Sequence, residues 1–211
     1  AGYTWRSELV CAMAALAGHQ DVLEYMQRNG HMPGELTCSY AAKGGRIAVL
    51  KNLWASGCSW DSKTVDSAAN SGSLECLAYA FENGCPWSDN TMSEAASSGN
   101  INCVRYTERN DAPWTKGMLD GALRDTHIEV LTYMNAVGFF FTADNAAVAA
   151  RAGALRVLEF LHSIGCEWDE RCALKAAEMG HIAVFQFLID NGCEWDEWRC
   201  RYVARDNEDY A

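Results

Sequence analysis

The sequence is first informative through the features it lacks. It has no apolar run of roughly 18 residues or more, so we expect no transmembrane helix and no direct membrane insertion. Its first residues do not form the charged-then-apolar segment of a secretory signal peptide. No stretch alternates apolar and polar residues between turns, as a half-buried strand would. The absence of a strand pattern favours an all-α chain.

Motifs for catalysis and for cofactor binding are also missing. The sequence contains no H-E-x-x-H, no C-x-x-C, and no glycine-rich loop for phosphate or dinucleotide binding. Serine, histidine and aspartate are present, but nothing in their spacing indicates a catalytic triad. We therefore predict no catalytic, cofactor-binding or metal-binding residues, no cofactor, and no enzymatic activity.

An excess of basic residues is absent as well. The formal net charge is -11 at pH 7, and the lysines and arginines are scattered rather than clustered. A protein of this charge repels nucleic acids and anionic membrane surfaces at physiological salt. Nucleic acid is therefore excluded from the expected partners.

What the sequence does contain is one unit that recurs every 27 residues. A glycine marks each recurrence, and an aromatic residue, most often tryptophan, follows it three positions later. The glycines are Gly30, Gly57, Gly84, Gly138, Gly165 and Gly192, and the aromatic residues are Trp60, Trp87, Trp114, Phe141, Trp168 and Trp195. An alanine pair recurs in the same frame, from Ala14-Ala15 to Ala176-Ala177. A fixed period of this length is typical of repeat architectures.

Each unit is predicted to be a pair of helices. The first helix carries the alanine pair, whose small side chains let two helices approach closely, and it ends at a glycine such as Gly180. The second has apolar residues at helical spacing, as at Leu155, Leu158 and Leu161. We predict one domain over 1–211 with seven units and a terminal half unit. The predicted bounds are 2–30, 31–57, 58–84, 85–111, 112–138, 139–165, 166–192 and 193–211.

The unit resembles the ankyrin repeat, whose A-A-x-x-G-H-x-x-V-L-x-x-L-x-x-x-G pattern is matched here from Ala176 to Gly192. The usual ankyrin unit has about 33 residues, and its Thr-Pro-Leu-His motif is absent here. The chain is more similar to short ankyrin-like repeats of the G-C-P-W-D type, with the fullest match at Gly84-Cys85-Pro86-Trp87. The resemblance implies a right-handed-type α-solenoid that lacks the β-hairpin finger and binds protein partners.

The frame is least regular between the fourth and fifth units. Asp111 and Thr126 replace two of the glycines, and Phe139-Phe140-Phe141 replaces the usual Cys-x-Trp. We expect strained helix stops there rather than a broken solenoid, because aspartate enters the left-handed region more readily than most residues. The last segment, 197–209, is predicted to be a first helix that has no partner helix and caps the array.

Ten cysteines invite a disulfide or metal interpretation. Cys58, Cys85, Cys166 and Cys193 share one place in the repeat, and neighbouring repeats stack roughly 10 Å apart, beyond the ~7 Å Cα limit of a disulfide. We expect the cysteines to be buried as small apolar residues in an intracellular, reducing compartment, the cytoplasm. A thiol–metal protein remains the alternative, in which a cysteine pair meets across a unit. The ankyrin resemblance implies that His19, His127 and His181 bond the backbone across a turn.

Candidate binding residues are those that vary while the frame stays fixed. Around the alanine pairs they are Tyr40, Lys43, Arg124, Arg151 and Lys175, which would line the concave side of an ankyrin-like array or belong to a merely solvated face. Trp54 and Phe81 occupy one place on adjacent second helices, and they form either an outward aromatic patch or part of the core between units. Phe139 and Phe140 are the third candidates.

We therefore expect a non-enzymatic module that presents a repeat surface to partner proteins, as a free adaptor or as a subunit of a larger assembly. The sequence lacks an initial methionine and begins partway into a unit, so residues are expected upstream. The alternative is that the chain is the interaction part of a longer protein whose catalytic domain lies elsewhere.

Overall fold

The computed structural model describes the backbone of residues 4–115 and 117–200 and the side chains from residue 7 onward within those ranges. Over these residues the chain is helical, without strands, as the sequence predicts. It divides into two compact units, Ala1–Met118 and Leu119–Ala211, which are described separately. One domain over 1–211, with the repeat bounds given above, stays a prediction.

The first compact unit contains four helix pairs. The first helices of the pairs are α1 (Thr4–Ala17), α3 (Glu35–Lys43), α5 (Ser62–Asn70) and α7 (Thr91–Ser97). The second helices are α2 (Gln20–Arg28), α4 (Ile47–Ala55), α6 (Leu74–Glu82) and α8 (Ile101–Arg109). First helices pack on first helices in the order α1, α3, α5, α7, and α6 packs between α4 and α8. The unit is therefore two layers of helices.

The second compact unit repeats this arrangement with three helix pairs. They are α9 (Asp120–Arg124) with α10 (Ile128–Ala136), α11 (Ala143–Arg151) with α12 (Leu155–Ser163), and α13 (Glu170–Glu178) with α14 (Ile182–Asp190). Helix α11 packs between α9 and α13, while α12 packs between α10 and α14. Residues 197–200 are also helical, and the rest of the predicted capping helix lies outside the described residues.

The alanine pairs lie in the core where first helices meet. Ala41, Ala42, Ala68 and Ala69 are fully buried in the first unit, and Ala149 and Ala150 are fully buried in the second. Alanine places only a methyl group between two helix backbones and loses no side-chain entropy in the helix. Larger residues such as Leu50, Leu77, Leu158 and Leu188 fill the space toward the second helices.

At one repeated place, side chains tie some of the helix pairs to the end of the preceding first helix. His181 lies 3.1 Å through Nε2 from the carbonyl oxygen of Arg151, which confirms the expected backbone bond for that histidine. In the first unit, the Arg46 Nε group donates to Leu16 O at 3.1 Å from the same place. Such bonds satisfy carbonyl groups left free at the end of a helix. None of the described helices is long and apolar enough to cross a bilayer.

The irregular helix stops are strained as expected. Thirteen glycines have positive φ, and among the described residues only Asp111 (φ 56°) and Thr126 (φ 63°) join them without being glycine. The left-handed region costs an L-residue roughly 1–2 kcal/mol, and a β-branched residue enters it rarely. Helix α9, which ends just before Thr126, has only five residues.

Replacing Thr126 with glycine should therefore stabilise the protein. Relief of the backbone strain should exceed the extra entropy that glycine loses on folding, for a net gain of about 0.5–1 kcal/mol. Equilibrium urea unfolding of wild type and Thr126→Gly measures the difference. The reverse change at an ordinary helix stop, Gly99→Thr, should destabilise the protein. If Thr126→Gly instead destabilises it, the threonine side chain has a role beyond the turn.

Gly44 is required for a different reason, since its φ of -80° suits any residue. A Cβ atom at this position would clash with the backbone carbonyl oxygen of Leu16 in the preceding repeat. Gly44→Ala should lower the free energy of unfolding by about 2 kcal/mol, because two backbones must separate to admit the methyl group. Denaturant unfolding followed by circular dichroism measures this effect.

The matched control is Ser71, one repeat later in the same place. Its side chain is accommodated, and its hydroxyl donates to Ala42 O at 3.1 Å and to Ala68 O at 3.0 Å. Ser71→Ala should cost no more than about 1 kcal/mol, the usual net contribution of a hydrogen bond. Equal losses in Gly44→Ala and Ser71→Ala would refute the close-approach explanation.

Candidate functional site

A groove lies along the first helices of the first compact unit. It consists of two adjoining depressions of about 440 and 450 Å³ that share Leu36, Ser39 and Lys63. Two of the predicted binding residues, Tyr40 and Lys43, line it, and the Lys43 Nζ atom lies 6.0 Å from the centre of the Tyr40 ring. We call this surface the first-helix groove. The structure thus places in one groove two residues that the sequence selected because they vary beside the alanine pair.

The first-helix groove is acidic. Besides Lys43 and Lys63, the charged residues that line it are Glu8, Glu35, Asp61, Asp66 and Glu94. Several of these carboxylates are held in place. Asp66 accepts hydrogen bonds from the hydroxyl groups of Ser88 at 2.8 Å and of Thr91 at 2.6 Å, and Glu94 accepts one from the Asn70 amide at 2.6 Å. The groove therefore presents fixed negative charge.

The other three predicted first-helix residues lie in the second compact unit, on α9, α11 and α13. Arg124 and Arg151 are exposed, whereas Lys175 is half-buried and forms an ion pair with Glu178 at 2.7 Å. Burial raises the pKa of Asp120 on α9, an effect that the positive charge of Arg124 partly offsets. Each of these basic residues sits near the end of its first helix, where a positive charge interacts favourably with the helix dipole.

Trp54 packs inside the helix stack rather than standing alone on its surface. Its ring lies parallel to that of Trp60 at 3.9 Å between centroids, and Tyr79 of the next repeat meets Trp60 edge-on at 6.1 Å. All three side chains are half-buried. Stacked and edge-to-face aromatic pairs each contribute about 0.5–1.5 kcal/mol beyond the area they bury.

Phe81 has the same environment one repeat later. It stacks on Trp87 at 4.0 Å, and Tyr106 meets both rings edge-on at 6.3 and 6.5 Å. The Trp87 indole also donates to Asn110 O at 2.9 Å. Of the two interpretations open from the sequence, packing between repeats describes the contacts of Trp54 and Phe81, while a role of these residues in binding stays a prediction.

This three-residue arrangement, which we call an aromatic rung, recurs in the second compact unit. His162 stacks on Trp168 at 4.8 Å, and Phe187 meets both rings edge-on. The rung was not predicted, because the repeated tryptophans and the second-helix aromatics appear as separate features along the sequence. The signal was available as a spacing, because the stacked partners are always six positions apart and the edge-on residue follows 19 positions after the tryptophan.

The stacked pair predicts that Trp54→Ala lowers the free energy of unfolding by about 2 kcal/mol. The value lies below that for a fully buried tryptophan because the ring is half-exposed. Chemical unfolding monitored by far-ultraviolet circular dichroism measures it. The control is Tyr25→Ala, since Tyr25 takes the place of Tyr79 in an earlier repeat but is 66% exposed. If the two variants lose the same stability, the rung does not stabilise the fold.

Phe139 and Phe140 line a separate depression in the second compact unit, with a volume of about 400 Å³. Phe140 is 83% exposed, whereas the following Phe141 is buried and contacts Phe139 and Phe160 at 5.0 and 6.0 Å between ring centroids. Phe141 thus takes the place of the usual tryptophan and is more deeply buried than the tryptophans at that place. Phe140 is left as a large apolar side chain on the surface of its unit.

The cysteines are mostly core residues, as expected: nine of the ten are buried, and Cys166 is half-buried. Across the described residues, no group of three or more histidine, cysteine, aspartate or glutamate side chains is placed to hold a metal ion. One contact was missed. Cys38 and Cys58 occupy different places in the repeat, and their sulfur atoms lie 3.1 Å apart. This contact was not predicted, because the expected distances were those between cysteines that share a place.

Comparisons with known proteins address the fold. No family model matches the sequence, and a search of curated proteins finds no match. Among solved structures, the chain is similar to the crystal structure of the human ASB11 ankyrin repeat domain, with a TM-score of 0.62 and 21% sequence identity. The match covers 74% of this chain and 84% of that one. The protein therefore has the fold of an ankyrin repeat domain, while assignment to the short G-C-P-W-D type stays a prediction.

Proposed function

We propose that the protein is a non-enzymatic interaction module that binds partner proteins along the first-helix groove. The observation that carries the proposal is the position of variable side chains over an invariant support. Tyr40 and Lys43 flank the buried Ala41-Ala42 pair, and Ser67 and Asn70 flank the next pair in the same groove. The alanine pairs hold the backbone in register, so that the flanking residues are free to differ between repeats.

The chemistry of the groove indicates the kind of partner. Five carboxylate residues against two lysines favour a segment rich in lysine and arginine, and they oppose binding of nucleic acid. Tyr40 supplies a half-buried aromatic side chain of the type that often dominates binding energy at interfaces. Phe140 offers a second contact point of apolar character in the other compact unit.

The same role fits several contexts. A free adaptor, a subunit of a larger assembly, and the interaction part of a longer protein with a catalytic domain elsewhere would all use the groove in this way. The similarity to an ankyrin repeat domain supports this class of function through the fold, since curved repeat arrays offer extended binding surfaces. A thiol–metal protein is the weaker alternative, because the described part of the chain contains no cluster of three possible metal ligands.

The test is affinity capture from the native source with wild type, a groove variant and a control. The groove variant combines Glu35→Lys with Tyr40→Ala on α3. The control is Glu75→Lys, which makes the same charge change at an exposed site on the second helix α6. Wild type and control should retain the same proteins, while the groove variant should lose at least ten-fold in recovery, because it loses an aromatic anchor and reverses one charge.

Retention by the wild type should also fall as salt is raised from low to physiological concentration, since exposed charges are screened within about 8–10 Å. Circular dichroism of all three proteins checks that they remain folded. Equal capture by wild type and the groove variant, or loss of capture in the α6 control alone, would move the binding surface away from the first-helix groove.

A further inference from the structure

Two thiols meet at the end of the second helix pair, where the chain passes to the third. Cys38 lies in the middle of α3, and Cys58 lies in the turn that follows α4. The Cys38 thiol donates a hydrogen bond to the Cys58 sulfur at 3.1 Å, and the Cys58 thiol points to the Gly34 carbonyl oxygen at 3.3 Å. A disulfide bond is about 2.05 Å long, so the two sulfur atoms need approach by only about 1 Å to bond.

Packing alone does not require thiols at these two places. The repeats that the structure describes put other residues at the same pair of positions: Cys11 with His31, Val65 with Cys85, Met92 with Ala112, Leu119 with Phe139, Ala146 with Cys166, and Ala173 with Cys193. Valine, methionine, leucine and alanine therefore all satisfy the helix position. Of these pairs, only the second repeat sets one cysteine against another.

The two thiols have different acidities. The hydrogen bond from Cys38 lowers the pKa of Cys58, because it stabilises the Cys58 thiolate. The same hydrogen bond raises the pKa of Cys38, and burial raises it further. In the next repeat, burial raises the pKa of the equivalent Cys85 to about 11. Cys58 is also slightly open to solvent at 7% exposure, against 1% for Cys85. Cys58 is thus the reactive member of the pair.

We propose that Cys38 and Cys58 form a dithiol site that small-molecule disulfides of the glutathione class oxidise to an intramolecular disulfide bond. The Cys58 thiolate attacks one sulfur of the small disulfide, forms a mixed disulfide, and displaces a thiolate. Cys38 then gives up its proton and attacks the Cys58 sulfur, which displaces the second small thiolate. The two protein thiols lose two protons and two electrons, and the small disulfide becomes two thiols.

The bond would join the first helix of the second repeat to the turn after its second helix. It closes a loop of about 20 residues, and such a closure restricts the unfolded chain more than the folded one. The oxidised protein should therefore melt at a higher temperature than the reduced protein. This inference is independent of the proposed binding function, because it concerns a covalent change that is read out on the protein alone.

The experiment treats the fully reduced full chain with glutathione disulfide, quenches it at intervals with iodoacetamide, and maps all cysteines by peptide mass spectrometry. The expected product is a linked Cys38–Cys58 peptide pair in a protein lighter by two hydrogen atoms. Cys85 is the internal control. Cys58 should be modified several-fold faster than Cys85, because the hydrogen bond from Cys38 lowers its pKa whereas burial raises that of Cys85 to about 11.

Two variants separate the steps, and both use residues that this chain already carries at the equivalent positions. Cys38→Val should form no linked pair, and its Cys58 should react with glutathione disulfide as slowly as Cys85, because the change removes both the resolving thiol and the hydrogen bond that lowers the pKa of Cys58. Cys58→Ala should leave Cys38 reduced. Circular dichroism confirms folding, and if a variant fails to fold, the comparison of Cys58 with Cys85 within wild type still decides.

Three results would overturn the proposal. They are modification of Cys58 no faster than that of Cys85, a stable glutathione adduct on wild-type Cys58 without the link to Cys38, and linkage of a different pair of cysteines. If neither Cys58 nor Cys85 is modified, the proposal is overturned in the same way as by the first result.

Discussion

Close contact between successive first helices is the constraint on which the rest of each compact unit depends. The helices approach through buried alanine pairs, and at Gly44 the approach leaves no room even for a methyl group beside the Leu16 carbonyl. This spacing sets the distance at which second helices and turns meet their neighbours. In the second compact unit, the hydrogen bond from His181 to the Arg151 carbonyl oxygen likewise joins neighbouring repeats.

The second helices are held by a different interaction. A ring on the second helix stacks on the aromatic residue six positions later, and a ring from the next second helix closes the contact edge-on, as in Trp54, Trp60 and Tyr79. The rung joins two repeats, whereas the alanine contact joins two helices of one layer. Because both contacts recur with the same period, the residues between them are free to vary, and the first-helix groove is built from those residues.

Positions that depart from the repeat pattern are candidates for functional roles, because the pattern itself serves packing. At Phe140 the turn exposes a large apolar ring, and Cys38 and Cys58 form a pair of thiols at two positions that hold at most one cysteine in the other described repeats. Such departures are easy to identify in a regular array, because each residue can be compared with the residues at the equivalent position of the other repeats. The neighbouring Val65–Cys85 pair shows what the second repeat would be without its thiol contact.

The sequence by itself determined the helical class, the period, the places of the helix stops and the alanine contacts. These properties depend on the local backbone and on a spacing that can be read along the chain, so even the strained stops at Asp111 and Thr126 were predicted. Only the tertiary structure decided that Trp54 and Phe81 pack in rungs, that Tyr40 and Lys43 share an acidic groove, and that Cys38 meets Cys58. The rungs, the acidic side of the groove and the thiol contact all join side chains from different helices or turns, and such contacts depend on a packing geometry that the period alone does not specify.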